Sequence, residues 1–181
     1  MKKYVIICAV SVCYLIACSH QIKSDQIFKK EVLELLQKAD LSPFIDNKSA
    51  TFSLNDNLRF ITQPKYVAGG SISFPFRQVS VYLFESNRAA IKAVNAKNNI
   101  NQATVHRGNP ERTGIDEWWI SEGTSLLSVN TVCLSIVKGN MVLQVSDGTK
   151  RYSEIENELW DTATKFLNML DQFEEGSGAT Q

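Results

Sequence analysis

Histidine and cysteine are scarce in this sequence, and their scarcity removes much chemistry at once. In 181 residues the only histidines are His20 and His106, and the cysteines are Cys8, Cys13, Cys18 and Cys133. None falls in the paired spacing of a zinc site, and no stretch has the regular acidic spacing of a calcium loop, so no metal or other cofactor is expected. The sequence contains neither G-x-x-x-x-G-K nor G-x-G-x-x-G, and Gly69-Gly70 leads into no phosphate-cradling pattern, which disfavours a nucleotide enzyme. A G-x-S-x-G elbow is missing too. An envelope hydrolase would have to work through His106 and a distant serine, an uncommon role for a lone histidine. An excess of charge is also lacking: Lys plus Arg and Asp plus Glu both total 19. No overall field therefore draws the protein to nucleic acid, and any recognition must be local.

What is present begins at the amino terminus. Lys2 and Lys3 precede an uncharged apolar run from Tyr4 to Ala17. The run is shorter than the ~18 residues of a spanning helix and suits the hydrophobic region of a secretion signal. It ends in Leu15-Ile16-Ala17-Cys18: an aliphatic residue, a tolerant position, a small residue, then cysteine. This segment resembles the lipobox of bacterial lipoprotein precursors. The resemblance implies cleavage before Cys18, a diacylglyceryl group on its sulfur, an acylated new amino terminus and a place in the bacterial cell envelope. It covers this segment alone and carries nothing about the domain behind it. Cys8 and Cys13 follow Ile7 and Val12 rather than a small residue, so they would leave with the signal peptide. Ser19, where an Asp would stand in retained lipoproteins of enteric-type bacteria, resembles the pattern sorted to the outer membrane. Each buried methylene contributes about 0.8 kcal/mol, so two or more acyl chains hold a protein on a bilayer almost permanently. The membrane is thus the first expected partner. Cys133 then remains as the only other thiol, and no intrachain disulfide between free thiols is available.

Four segments follow: a signal peptide at 1–17, the lipidated Cys18 with a short tether at 18–24, a single domain at 25–173 and a mobile polar tail at 174–181. Fully extended, Ser19 to Ser24 reaches only about 20 Å, so the domain should sit near the lipid. Phe28, Val32, Leu35, Leu36 and Ala39 recur at helical spacing with charges between them, predicting an amphipathic helix over 25–40. Pro43, Pro64 and Gly69-Gly70 punctuate a weaker region, expected to hold loops and short strands near Phe52 and Arg59–Ile61. Ile72 to Phe84 alternates but is interrupted by Pro75, which predicts a bent or edge strand running into a better-paired one. Ser86 is placed to cap a short helix with an Ala89, Ala90, Ala93, Val94 face. A brief strand at Ala103–His106 and another at Glu117–Ser121 come next. The strongest signal is a hairpin: Leu126–Val137, the turn Lys138-Gly139-Asn140, then Met141–Ser146. Both alternating sets of its first strand are apolar, so that strand should be covered on both faces over part of its length. Ser153 with Glu156 forms a capping-box pattern for a last helix through Leu170. The expected fold class is α+β: an antiparallel sheet packed by amphipathic helices at the N-terminus, middle and C-terminus.

The most suggestive stretch for binding runs from His106 to Gly114 into Asp116-Glu117-Trp118-Trp119. Neighbouring strand residues point to opposite faces, so Trp118 and Trp119 cannot enter one layer of core together. One of them, beside Arg107 and Arg112, has the composition of a binding hot spot; a sheet covered on both sides would bury both. Asp116 and Glu117 diverge in the same way, which weakens them as an acid/base pair. Cys133 lies mid-strand among apolar residues and should be buried and inert. No catalytic residue is assigned. The expectation is a non-enzymatic, lipid-anchored envelope module of the immunity, exclusion or accessory-subunit kind, binding a protein partner. Two alternatives are a ligand-binding lipoprotein with a pocket near Trp118, Trp119 and His106, and the His106 hydrolase.

Overall fold

The hairpin predicted around Gly139 lies inside a seven-stranded antiparallel sheet with the order β1-β2-β3-β7-β6-β5-β4. The computed structural model describes residues 26–41, 51–54, 64–100, 104–108, 114–124 and 130–178. Its strands are β1 (Ser53–Leu54), β2 (Tyr66–Phe74), β3 (Arg77–Phe84), β4 (Thr104–Gly108), β5 (Glu117–Thr124), β6 (Asn130–Lys138) and β7 (Met141–Asp147). The helices are α1 (Glu31–Lys38), α2 (Asn87–Ile100) and α3 (Tyr152–Gly178). They stand at the N-terminus, middle and C-terminus of the domain, so the α+β expectation holds.

Alternation along the strands explains the layers. Val79, Val81 and Leu83 of β3, Leu134 and Ile136 of β6 and Leu143 and Val145 of β7 form one face. That face is packed by Val32, Leu33 and Leu36 of α1 and by Ile155, Leu159, Ala163, Phe166 and Leu170 of α3. Tyr82, Phe84, Trp119, Val137 and Val142 point the other way, against Ala89, Ala90, Ala93 and Val94 of α2. The sheet is therefore the middle of three layers, which is why both alternating sets of β6 are apolar. Fully burying one Leu, Ile or Phe contributes about 1.5–3 kcal/mol, so the two cores are the main source of stability. Beyond α2 the second face turns polar: Ser71, Ser80, Gln144 and Ser135 stand opposite one another across β2, β3, β7 and β6. Gln144 Nε2 donates to Ser135 Oγ at 2.8 Å.

Several boundaries differ from the sequence expectation. The strand expected to run into a better-paired one over Ile72 to Phe84 is β2 turning back into β3 as a hairpin, with Phe74 opposite Arg77. Pro75 presets the first turn position and Phe76 takes the second with φ +67, the signs of a type II turn. Residues 26–29 are not helical, and α1 starts only at Glu31. Its buried side chains are Val32, Leu33 and Leu36, while Leu35 is exposed. α3 begins at Tyr152, ahead of Ser153, and the reciprocal contact uses Glu154, whose Oε2 accepts from Arg151 N at 3.3 Å. It continues to Gly178, beyond the Glu174 boundary set for the tail, because Glu174 and Glu175 are good helix formers and Gly176 and Gly178 cost only about 1 kcal/mol each. The strand expected at Arg59–Ile61, the signal and tether at 1–24, and Arg112 lie outside the described residues.

Candidate functional site

The β6–β7 turn gathers polar groups from five parts of the chain. Gly139 takes φ +55 at the first central position, as a type II′ hairpin turn requires, and a Cβ there would run into the backbone carbonyl of Gln26. Beside it, Asn140 is buried, and its carboxamide treats Phe28 as a strand neighbour would. Asn140 Oδ1 accepts from Phe28 N at 2.7 Å, and Nδ2 donates to Phe28 O at 3.0 Å and to Phe84 O at 2.8 Å. Asp116 Oδ2 accepts from Gly139 N at 2.6 Å and from Asn87 Nδ2 at 2.9 Å, and Asn87 Nδ2 also reaches Gly139 O at 2.8 Å. Lys138 Nζ donates to both carboxylate oxygens of Asp171 at 2.6 Å. These groups satisfy one another. They fasten the N-terminal segment, the end of β3, the start of α2, the residue before β5 and α3 to a single turn.

Next to this knot lies a cavity of about 440 Å³ lined by Pro64, Lys65, Ser86, Arg88, Ala89, Lys92 and Ala93. Ser86 Oγ caps α2 by accepting from Ala89 N at 3.3 Å, as its sequence position predicted. Arg88 and Lys92 are four residues apart and so share one flank of α2, with buried Ala89 and Ala93 forming the floor. Lys65, at φ +68, is held opposite by Glu85 N donating to Lys65 O at 2.9 Å. Among the described residues the lining contains three cations and no acid. The Glu85 carboxylate lies 3.5 Å from Lys65 Nζ, and both side chains are well over half exposed. Such a pair contributes about 0–1 kcal/mol, and it leaves Arg88 and Lys92 as the cavity's uncompensated cations among the described residues. No ion pair is made by Arg88 or Lys92 among the described residues. The arrangement suits an anion such as a phosphate or carboxylate.

At the other end of the hairpin, Arg77 joins Asp147 at 3.4 Å and Glu158 at 2.7 Å, and Lys150 reaches Glu158 at 2.9 Å. Hydrogen bonds from Lys150 and Arg77 hold the Glu158 carboxyl below its ordinary value. This network ties β3 and β7 to α3.

Of the residues singled out from sequence, Trp118 and Trp119 part as alternation demands. Trp119 is buried under α2. Trp118 is half-buried on the opposite face, edge-to-face with Trp160 of α3, ring centroids 5.3 Å apart and planes at 86°. A single ligand on one face therefore cannot meet both rings. His106 and Arg107 lie on β4, the terminal strand, opposite Ile120 and Trp119 in the register. Cys133 is buried, its Sγ 3.8 Å from Ser135 Oγ. Asp116 proves structural. Sequence reasoning missed Asn140, Lys65, Arg88 and Lys92, although the Arg88/Lys92 spacing beside a small-residue face was a readable signal. Among the described residues no group of three or more His, Cys, Asp or Glu gathers as for a metal, and no helix is long and apolar enough to cross a membrane.

No known protein family matches the sequence, and no curated protein does. Among solved structures, the extracellular domain of PknH from Mycobacterium tuberculosis is similar at a TM-score of 0.45 with 12% identity, over 82% of this chain and 100% of that one.

Proposed function

We propose that this chain is a bacterial lipoprotein, lipidated on Cys18, whose domain works as a non-enzymatic interaction module of the cell envelope, of the immunity, exclusion or accessory-subunit kind. The observation that carries the reading is the clamp of Asn140 on Phe28. Phe28 is docked ten residues after Cys18, so the module is held close to lipid instead of searching from a long stalk. Buried and bridging acids support binding over catalysis: Asp116, Asp147 and Asp171 are each engaged by backbone or cationic groups that fix the fold. The serine after Cys18 favours the outer membrane.

The protein partner is proposed to meet the β4 edge, where His106 and Arg107 lie. Terminal strands present backbone donors and acceptors that another chain can use. A photo-cross-linker at position 107, in cells, is expected to give one discrete adduct, while one at Glu156 on the exposed face of α3 gives none. Equal labelling from both positions, or none from 107, contradicts the β4 interface.

A further inference from the structure

We infer that the Lys65/Arg88/Lys92 cavity binds the phosphate of an anionic phospholipid headgroup in the same bilayer that holds the Cys18 lipid, docking the domain in one orientation. The inference rests on the lipoprotein reading. Two observations carry it: the charge of the cavity and the place where the chain enters the domain.

The cavity offers a guanidinium and two ammonium groups around about 440 Å³, with no acid in its lining among the described residues. A headgroup phosphate supplies the complementary charge and several acceptor oxygens. Arg88 and Lys92 repel each other slightly at their four-residue spacing, and an anion between them relieves that repulsion.

The N-terminal segment arrives at the same end of the molecule. A Cβ at Gly139 would meet the Gln26 carbonyl, Phe28 is bonded to Asn140, and Asn140 is bonded to Phe84. Phe84 leads through Glu85 into Ser86, which lines the cavity, and Asn87 closes the circuit by donating to Gly139 O at 2.8 Å. Residues 18–25 reach at most about 28 Å when extended, so lipid on Cys18 brings this end close to the membrane and the cavity's charge selects the orientation. Ile27, 62% exposed at the same place, adds an apolar side chain for the interfacial region. The Arg77/Asp147/Lys150 network sits at the far end of β7, about 20 Å away along the strand from Met141 to Asp147. Each Lys or Arg brought to an anionic surface multiplies affinity about fivefold; with Lys65 already opposed by Glu85, Arg88 and Lys92 together contribute roughly 25-fold, and added salt screens the effect.

The test uses the full lipidated protein, extracted in detergent and reconstituted with vesicles of phosphatidylcholine alone or of phosphatidylcholine with phosphatidylglycerol. Flotation reports the anchor; amine acetylation at Lys65 and Lys92, read by peptide mass spectrometry with Lys150 as reference, reports the cavity. The expected result is flotation with both vesicles, with acetylation of Lys65 and Lys92 falling about fivefold on the anionic ones and Lys150 unchanged. Arg88→Gln should reduce that protection without changing flotation. Equal acetylation on the two vesicles overturns the inference while leaving the anchor intact. Equal protection by inorganic phosphate in detergent also overturns it, in favour of a soluble anion site. Failure to float with phosphatidylcholine alone is a different failure and sinks the lipoprotein reading.

Discussion

Asn140 and Phe28 are 112 positions apart, yet the Asn140 carboxamide bonds both the N–H and the C=O of Phe28. A side chain here replaces a strand. It lets the N-terminal segment dock without a further ladder, and Phe28 is buried as a result.

Replacing Asn140 with Ala leaves Phe28 N, Phe28 O and Phe84 O without this partner. Each buried group left unpaired costs about 1–3 kcal/mol, and since they are neighbours the total should come to about 3 kcal/mol rather than the full sum. Urea unfolding should show a lower midpoint at unchanged slope. A loss below about 0.5 kcal/mol contradicts the clamp.

Two glycines with positive φ separate backbone conformation from crowding. At Gly114, φ +83, an added Cβ would meet, among the described residues, only Lys138 Nζ, 3.9 Å away, whereas at Gly139, φ +55, it would run into the Gln26 carbonyl. Gly114→Ala should cost about 1 kcal/mol from conformation alone. Gly139→Ala should cost clearly more, because the N-terminal segment must also shift. Equal losses in thermal unfolding would remove Gln26 from the account.

Phe76 holds φ +67 on an exposed turn, a conformation that costs a side-chain-bearing residue about 1–2 kcal/mol. Phe76→Gly relieves that strain and loses about 0.5–1 kcal/mol of chain entropy. The expected outcome is a small rise in melting temperature, and a fall means Phe76 makes a stabilising contact.

Glu158 is held below its ordinary value near 4.5 by Lys150 and Arg77. A lowered carboxyl stabilises the fold above its unfolded value, and that stability drains away as pH falls through the folded value. The window therefore opens near pH 4.5 and closes below it. Glu158 is about half exposed, so its share is under about 1 kcal/mol. Glu158→Gln should lower stability at neutral pH and flatten the acid limb; an unchanged limb assigns the acid response to other groups.

Periodicity made much of this architecture legible. Two-faced β6, the Gly139 turn, the Ser86 cap and the final helix follow from alternation, φ demands and capping. The β2–β3 hairpin was hidden because Pro75-Phe76 lacks the glycine that usually marks a positive φ. The start of α1 was set too early because Phe28 fits a helical stripe by spacing, while its backbone is claimed by Asn140. Long-range side-chain clamps leave no local periodic trace. The divergence of Trp118 and Trp119 was visible from strand geometry; the cation-lined cavity was not, since Lys65 comes from a distant turn.

The account rests on the covalent state of Cys18, and the intact mass of the protein extracted from its native membrane measures that directly. It should correspond to a chain beginning at Cys18 and carrying a diacylglyceryl group and an amide-linked acyl chain. A mass that retains residues 1–17, or one with an unmodified thiol at Cys18, contradicts it.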